Sequence, residues 1–209
     1  MKIEELFDED AFRHVERAVQ QAEQHTSGEI VPMLVLRSDT YAGARALAAA
    51  ALAFTSGVGV LASGSEAGLW LPPVQALGFA LGYWALGWGP LLRRWLPEAM
   101  LEAPVERAAR LAFLEEGLIE TRDRTGVLIY ISLLERRVRV LADRGIDDVV
   151  EPGTWDGVVE TILRGIRAGR AEAGLVEAIR ICGELLQASF PRRADDTNEL
   201  SNRLRIEPD

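Results

Sequence analysis

Between Arg45 and Arg93 the alternation of polar and apolar positions disappears: residues 46–65 and 67–92 form two uncharged stretches separated only by Glu66. Each exceeds the run of about 18 apolar residues that lets a helix cross a hydrocarbon layer roughly 30 Å thick. A soluble helix ordinarily keeps a polar face, and neither stretch has one. The pattern therefore predicts a two-helix transmembrane hairpin over residues 42–95, with the lipid bilayer as its partner. Arg45 precedes the first helix, and Arg93 and Arg94 follow the second. Basic flanks mark cytoplasmic ends, so the connection Ser63-Gly64-Ser65-Glu66 is expected outside. This topology describes a multi-pass protein of the plasma (inner) membrane whose termini and soluble domain are cytoplasmic. Trp70, Trp88 and Trp95 suit the two interfacial belts. Gly78 and Gly82 are spaced for close approach to the first helix or to a helix of another chain. Neither helix carries an ionisable residue in its interior, which favours an anchor over an ion pathway.

The flanking segments return to ordinary patterning. Phe12, Val15, Ala18, Val19 and Ala22 recur at helical spacing after the acidic entry Asp8 to Asp10, and Ser27-Gly28 ends that helix. Residues 29–37 read as a strand, in which Pro32 implies either an edge position or pairing that begins after it. Beyond the hairpin, Val105, Ala108, Leu111, Ala112 and Ile119 mark a second amphipathic helix ending near Thr121. The nearly continuous apolar run at residues 126–134 predicts a strand covered on both faces. Glu135-Arg136 turns the chain into an antiparallel partner at residues 137–142, where Val138 and Val140 alternate with arginines. Two helices follow, one capped by Thr154 and carrying Val158, Ile162 and Ile166, the other carrying Leu175, Ile179, Cys182 and Leu186.

This order predicts an α/β fold, a small mixed sheet layered with helices and interrupted by the transmembrane hairpin. Residues 1–41 and 96–190 form the two parts of one domain. Residues 191–209 are polar, either a tail or an extended segment laid over that domain.

The net charge of −9 includes a hairpin with three arginines and one glutamate, so the soluble part is more acidic than the whole chain. Such a field disfavours nucleic acid and anionic lipid as nonspecific partners and is compatible with divalent cations or basic protein surfaces. With one cysteine, Cys182, there is no intramolecular disulfide, which fits a reducing compartment. The opening Met1-Lys2-Ile3-Glu4-Glu5 is unlike a signal peptide.

The most carboxylate-dense loop is Asp143-Arg144-Gly145-Ile146-Asp147-Asp148. Hard divalent cations such as calcium or magnesium prefer oxygen ligands, so Asp143, Asp147 and Asp148 are the candidate metal ligands. Asp195, Asp196, Asn198 and Glu199 make a second oxygen-rich group. His14 and His25 are about 16 Å apart along a helix, too far to share one metal, and read as surface residues. Cys182 falls on an apolar face and reads as core. No phosphate-binding loop, dinucleotide fingerprint, nucleophile elbow or zinc motif is present.

Thr26-Ser27-Gly28-Glu29-Ile30-Val31, Thr125-Gly126-Val127-Leu128-Ile129-Tyr130-Ile131-Ser132, Glu135-Arg136 and Leu141-Ala142-Asp143-Arg144-Gly145-Ile146 together resemble the TPM domain family. Trp155, Gly174-Leu175, Phe190-Pro191 and Asn198-Glu199-Leu200 extend the likeness. The resemblance implies an α/β sandwich, and through some relatives a phosphatase activity with divalent-metal binding. Those relatives tend to carry a leader and face the lumen or periplasm, unlike the topology expected here. The motifs are structural in character, strand cores, turns and glycines, and map no phosphatase centre. The leading expectation is accordingly a membrane-anchored binding or assembly module for a membrane protein complex. The alternative is a metal-assisted phosphatase using the acidic loop.

Overall fold

The computed structural model describes residues 7–64 and 67–207. Its elements are α1 (Glu9–Glu23), β1 (Glu29–Val35), α2 (Ala42–Ala62), α3 (Leu71–Ala85), α4 (Gly89–Trp95), α5 (Glu98–Glu115), β2 (Gly126–Ser132), β3 (Arg137–Ala142), α6 (Arg144–Asp147), α7 (Asp156–Arg167), α8 (Ala171–Ser189) and β4 (Arg205–Glu207). They fall into two compact units. One joins the residues up to Ser38 with those from Glu102 onward, and the other is the inserted segment 39–101.

The first unit is built on a mixed four-stranded sheet in the order β3-β2-β1-β4. β1 runs parallel to β2, from Glu29↔Gly126 to Val35↔Ser132, and parallel to β4 from Met33↔Arg205 to Val35↔Glu207. β3 closes the other side antiparallel to β2. Every residue of β1 and β2 is buried, because both faces are covered. The two-residue strand period divides them. Ile30, Leu34, Val127, Ile129 and Ile131 join the apolar faces of α1, α7 and α8, while Val31, Met33, Val35, Leu128 and Tyr130 join Val105, Ala109, Ala112 and Phe113 of α5. The result is a three-layer α/β/α arrangement. Asp8 starts α1 by accepting the Ala11 N–H at 2.8 Å. Gly117, at φ 72°, carries the chain from the end of α5 into a short 3-10 turn at Leu118–Glu120, so Ile119 lies in that turn and not on the helix.

Pro32 is not on an edge strand. The Glu29 N–H faces β2, bonding the Thr125 carbonyl at 3.1 Å, so the strand period turns Pro32 to the opposite side. There β4 pairs only from Met33 onward, and the missing donor leaves no gap in the ladder. Residues 191–207 are the extended segment: they lie over the domain and supply the fourth strand. Thr154 does not cap α7, whose first residue is Asp156; its hydroxyl instead bonds the Glu151 carbonyl at 2.6 Å.

In the second unit α2 is one helix of 21 residues, long and apolar enough to cross a membrane. The second stretch is not a single helix. A 3-10 turn at Ala67–Trp70 leads into α3, which opens on Pro72 and Pro73 and has 15 residues. The chain then breaks at Trp88, extended at ψ 112°, before the separate short helix α4. Gly78 and Gly82 face the first helix: a Cβ on Gly82 would lie 2.9 Å from Ala49 Cα, and one on Gly78 would lie 3.2 Å from Ala53 Cα. Arg45 lies over the Tyr83 ring at 4.2 Å and donates to the Tyr83 carbonyl at 3.3 Å, satisfying part of the α3 terminus. Ser65 and Glu66 of the expected connection lie outside the described residues.

Candidate functional site

The parallel strands β1 and β2 begin, and the antiparallel β3 ends, at one end of the sheet. This register gathers Glu29, the loop 121–125 and Asp143 there. Asp143 is buried, only 5% exposed. Its carboxylate accepts the Arg144 N–H at 2.7 Å, capping α6, and pairs with the Arg124 guanidinium at 2.7 Å. Gly145 packs against the same loop: its N–H bonds the Arg124 carbonyl at 3.0 Å, and a Cβ there would come within 2.5 Å of the Asp123 carbonyl. Asp147 and Asp148 are exposed. Burial, then the neighbouring Asp143 and Asp148, hold the Asp147 carboxyl above its ordinary value. Among the described residues no group of three or more His, Cys, Asp or Glu has an arrangement to hold a metal ion. Calcium or magnesium at this loop would have to compete with Arg124 for Asp143.

The second oxygen-rich group folds onto the same loop. Asp195 pairs with Arg122 at 3.0 Å, which holds its carboxyl below the ordinary range, and Arg193 pairs with Asp123. Glu199 accepts the Arg122 N–H at 2.8 Å. Further along, the segment is gripped by two carboxylates that sequence reasoning passed over. Glu29, 7% exposed, accepts the N–H groups of Glu199 at 3.0 Å and Leu200 at 3.3 Å. Glu23 accepts the Ile30 N–H at 2.9 Å and a bond from the Asn202 side chain. Burial raises both carboxyls, Glu23 to about 8, against the opposing pull of those donors. Beside them lies a cavity of about 310 Å³ whose wall includes Glu23, Glu29, Arg192, Asp196, Asn198 and Asn202.

These contacts give the run Thr26-Ser27-Gly28-Glu29 a physical reading. The Thr26 hydroxyl donates to the Phe190 carbonyl at 2.6 Å, and the Ser27 carbonyl accepts from the Thr125 hydroxyl at 2.9 Å. Gly28 leaves room for Leu186, whose Cδ1 would be 2.9 Å from an added Cβ. Glu29 holds the final segment. The signal for Glu29 was present in the sequence, a charged residue opening an otherwise apolar strand. Its partners, more than 160 positions away, left no local pattern.

At the opposite end of the sheet, Glu135 is 1% exposed. Its carboxylate accepts the Ser38 N–H at 3.0 Å and the Ser132 hydroxyl, and Ser38 Oγ donates to Ser132 Oγ at 2.9 Å. Tyr130 joins them, its hydroxyl 3.2 Å from Ser38 Oγ, with its pKa raised chiefly by burial. This network ties the last residue before the inserted segment to β2. His14 is exposed and bonded to Glu172, and His25 is also exposed. Cys182 is fully buried, its thiol pushed up to about 12 by burial, which makes it a poor nucleophile.

The first unit thus defines a class: a three-layer α/β/α domain with a mixed sheet whose loops are ion-paired at one end. A family model described as the TPM domain matches residues 99–185, from α5 through β2, β3 and α7 into α8. The NMR structure of BA42 protein from the psychrophilic bacterium Bizionia argentinensis is similar in fold, with a TM-score of 0.63, 22% identity and 99% of each chain covered. The family match covers less than half of the chain, and the structural likeness concerns the fold. A comparison with curated proteins finds no match.

Proposed function

We propose that the chain is a membrane-anchored TPM domain that acts as a binding or assembly module for a membrane protein complex, the inserted segment holding it in the bilayer. The observation that carries this reading is the outer surface of α2 and α3. Leu47, Phe54, Leu61, Leu77, Leu81 and Trp84 are all exposed, around helices whose own pairing uses glycine and alanine. Soluble proteins rarely expose so continuous an apolar surface. The lengths fit as well: α2 extends about 32 Å, and the 3-10 turn plus α3 extend about 30 Å. Arg45, Arg93 and Arg94 all lie at the end of this unit that carries its two chain connections, the feature expected of a cytoplasmic face.

The phosphatase alternative gains less from the geometry. Asp143 already serves Arg124 and the α6 N-terminus, leaving Asp147 and Asp148 as exposed carboxylates on one side of it. An acidic binding surface needs no such free ligand set.

Two measurements test the proposal. The full chain should resist extraction of cell membranes by alkaline carbonate, and protease added to sealed right-side-out vesicles should spare the domain; ready extraction or cleavage would overturn the anchor or its orientation. Purified protein should show no phosphomonoester hydrolysis with or without calcium or magnesium. Metal-dependent turnover abolished by Asp143→Ala and Asp147→Ala would replace the binding module with an enzyme.

A further inference from the structure

The break at Trp88 separates α4 from α3 and leaves it with a surface of its own. Trp88, Leu91 and Trp95 recur at helical spacing, and all three are exposed, Trp88 by 71%. That is an outward apolar stripe on a helix too short to cross anything. Arg94 lies beside the stripe, is exposed, and has no ion-pair partner among the described residues. Arg93, in the same turn, is 3.7 Å from Glu98 and is partly covered. Arg45 is engaged with Tyr83. The local balance is therefore cationic, with Glu98 as the opposing carboxylate. Trp84, one turn before the break, is 80% exposed.

Tryptophan prefers the headgroup level, where its ring is buried in the acyl boundary and its N–H stays among polar groups. Arginine beside it meets phosphate with a planar, multiply donating head that a zwitterionic surface engages less than an anionic one. Charge complementarity therefore chooses the occupant of this stripe. We propose that α4 is a headgroup-level foot that seats on anionic phospholipid, with Trp88, Leu91 and Trp95 in the interface and Arg94, assisted by Arg93, on the lipid phosphate. This inference rests on the bilayer reading above and adds the lipid class to it.

The test uses the full chain reconstituted into vesicles of phosphatidylcholine with a minor fraction of phosphatidylglycerol, one or the other brominated near the headgroup end of its acyl chains. Tryptophan quenching then reports which lipid touches the belt. Quenching by brominated phosphatidylglycerol should exceed its share of the bilayer several-fold, the preference should fall at high salt, and Trp88→Phe with Trp95→Phe should remove most of it. A basic residue near an anionic surface is worth about fivefold in occupancy, so Arg94→Gln should lower the preference by about that factor while Arg94→Lys retains much of it. Quenching by both lipids in simple proportion to their amounts would overturn the anionic foot and leave the membrane anchor standing. Absence of quenching by either lipid would overturn both. Arg94 is exposed and unpaired, so its replacement leaves the fold intact for comparison with the wild type.

Discussion

The two units treat polarity in opposite ways. In the first unit, carboxylates enter the interior, and each of the buried ones among the described residues meets donors: Asp143 meets Arg124, Glu29 two backbone N–H groups, and Glu135 Ser38 and Ser132. In the inserted unit, α2 and α3 have no charged side chain beyond Arg45, and their contact is made by small residues at the level of backbone atoms. One region gains specificity from partnered polar groups, which are costly when unpaired; the other gains it from shape. The lesson is that a glycine and a glutamate can be equally hard to replace for unrelated physical reasons.

Close helix contacts built on glycine also occur in the first unit. At the α7–α8 crossing, a Cβ on Gly174 would lie 2.8 Å from Gly165 Cα, with backbone on both sides. Gly174→Val should destabilise the domain by about 3 kcal/mol, the upper end of ordinary overpacking, in a denaturant titration of the purified chain. Asp143→Ala comes next. It removes a helix cap and strands Arg124, and should cost about 2 kcal/mol in the same titration, less than a fully buried pair because Arg124 is half-exposed.

Glu23 makes the stability of the first unit depend on pH. Its folded value is raised to about 8, so folding favours the protonated form. The stabilisation is therefore complete below the ordinary glutamate value near 4.5 and is lost as pH rises through about 8. Glu23→Gln, which cannot ionise, should show a Tm that falls less than the wild type's between pH 6 and 9. Equal slopes for the two proteins would remove Glu23 as the cause. At the small end, Arg164 and Glu160 form a 3.4 Å pair with both side chains about 70% exposed. Arg164→Ala should change stability by no more than about 0.5 kcal/mol, as solvent and salt screen such a pair.

Much of this architecture was legible locally. The helical stripes of α1, α7 and α8 and the continuous apolar run of β2 follow from periodicity, and β3 fell on the residues expected, Arg137–Ala142. The alternating arginines of β3 read as a wet face, and Arg139 instead meets Glu102 at 2.8 Å and Glu106 at 3.2 Å on α5. What escaped was non-local. β4 has only three residues and no alternation long enough to register as a strand. The double proline of α3 and the Trp88-Gly89-Pro90 turn were visible as residues, yet hydropathy averages across such breaks and merged three elements into one. The acidic loop at Asp143 was found by carboxylate density, whereas its engagement by Arg124 depends on a loop that sequence spacing does not bring near it. Glu23 and Glu29 were missed because isolated glutamates resemble surface residues until burial is known.

The position of β1 has a consequence for how the chain is made. It is an interior strand, but its parallel neighbours β2 and β4 both follow the inserted unit in the sequence. A growing chain therefore emerges from the ribosome with its central strand first and bare on both edges, and the whole of α2 to α4 must be synthesised before either edge can be covered. During that interval Ile30, Val31, Met33, Leu34 and Val35 are open to chaperones or to a second nascent chain. Synthesis of the inserted segment thus precedes completion of the sheet, and a stall just downstream of it would leave the central strand made and both of its neighbours missing.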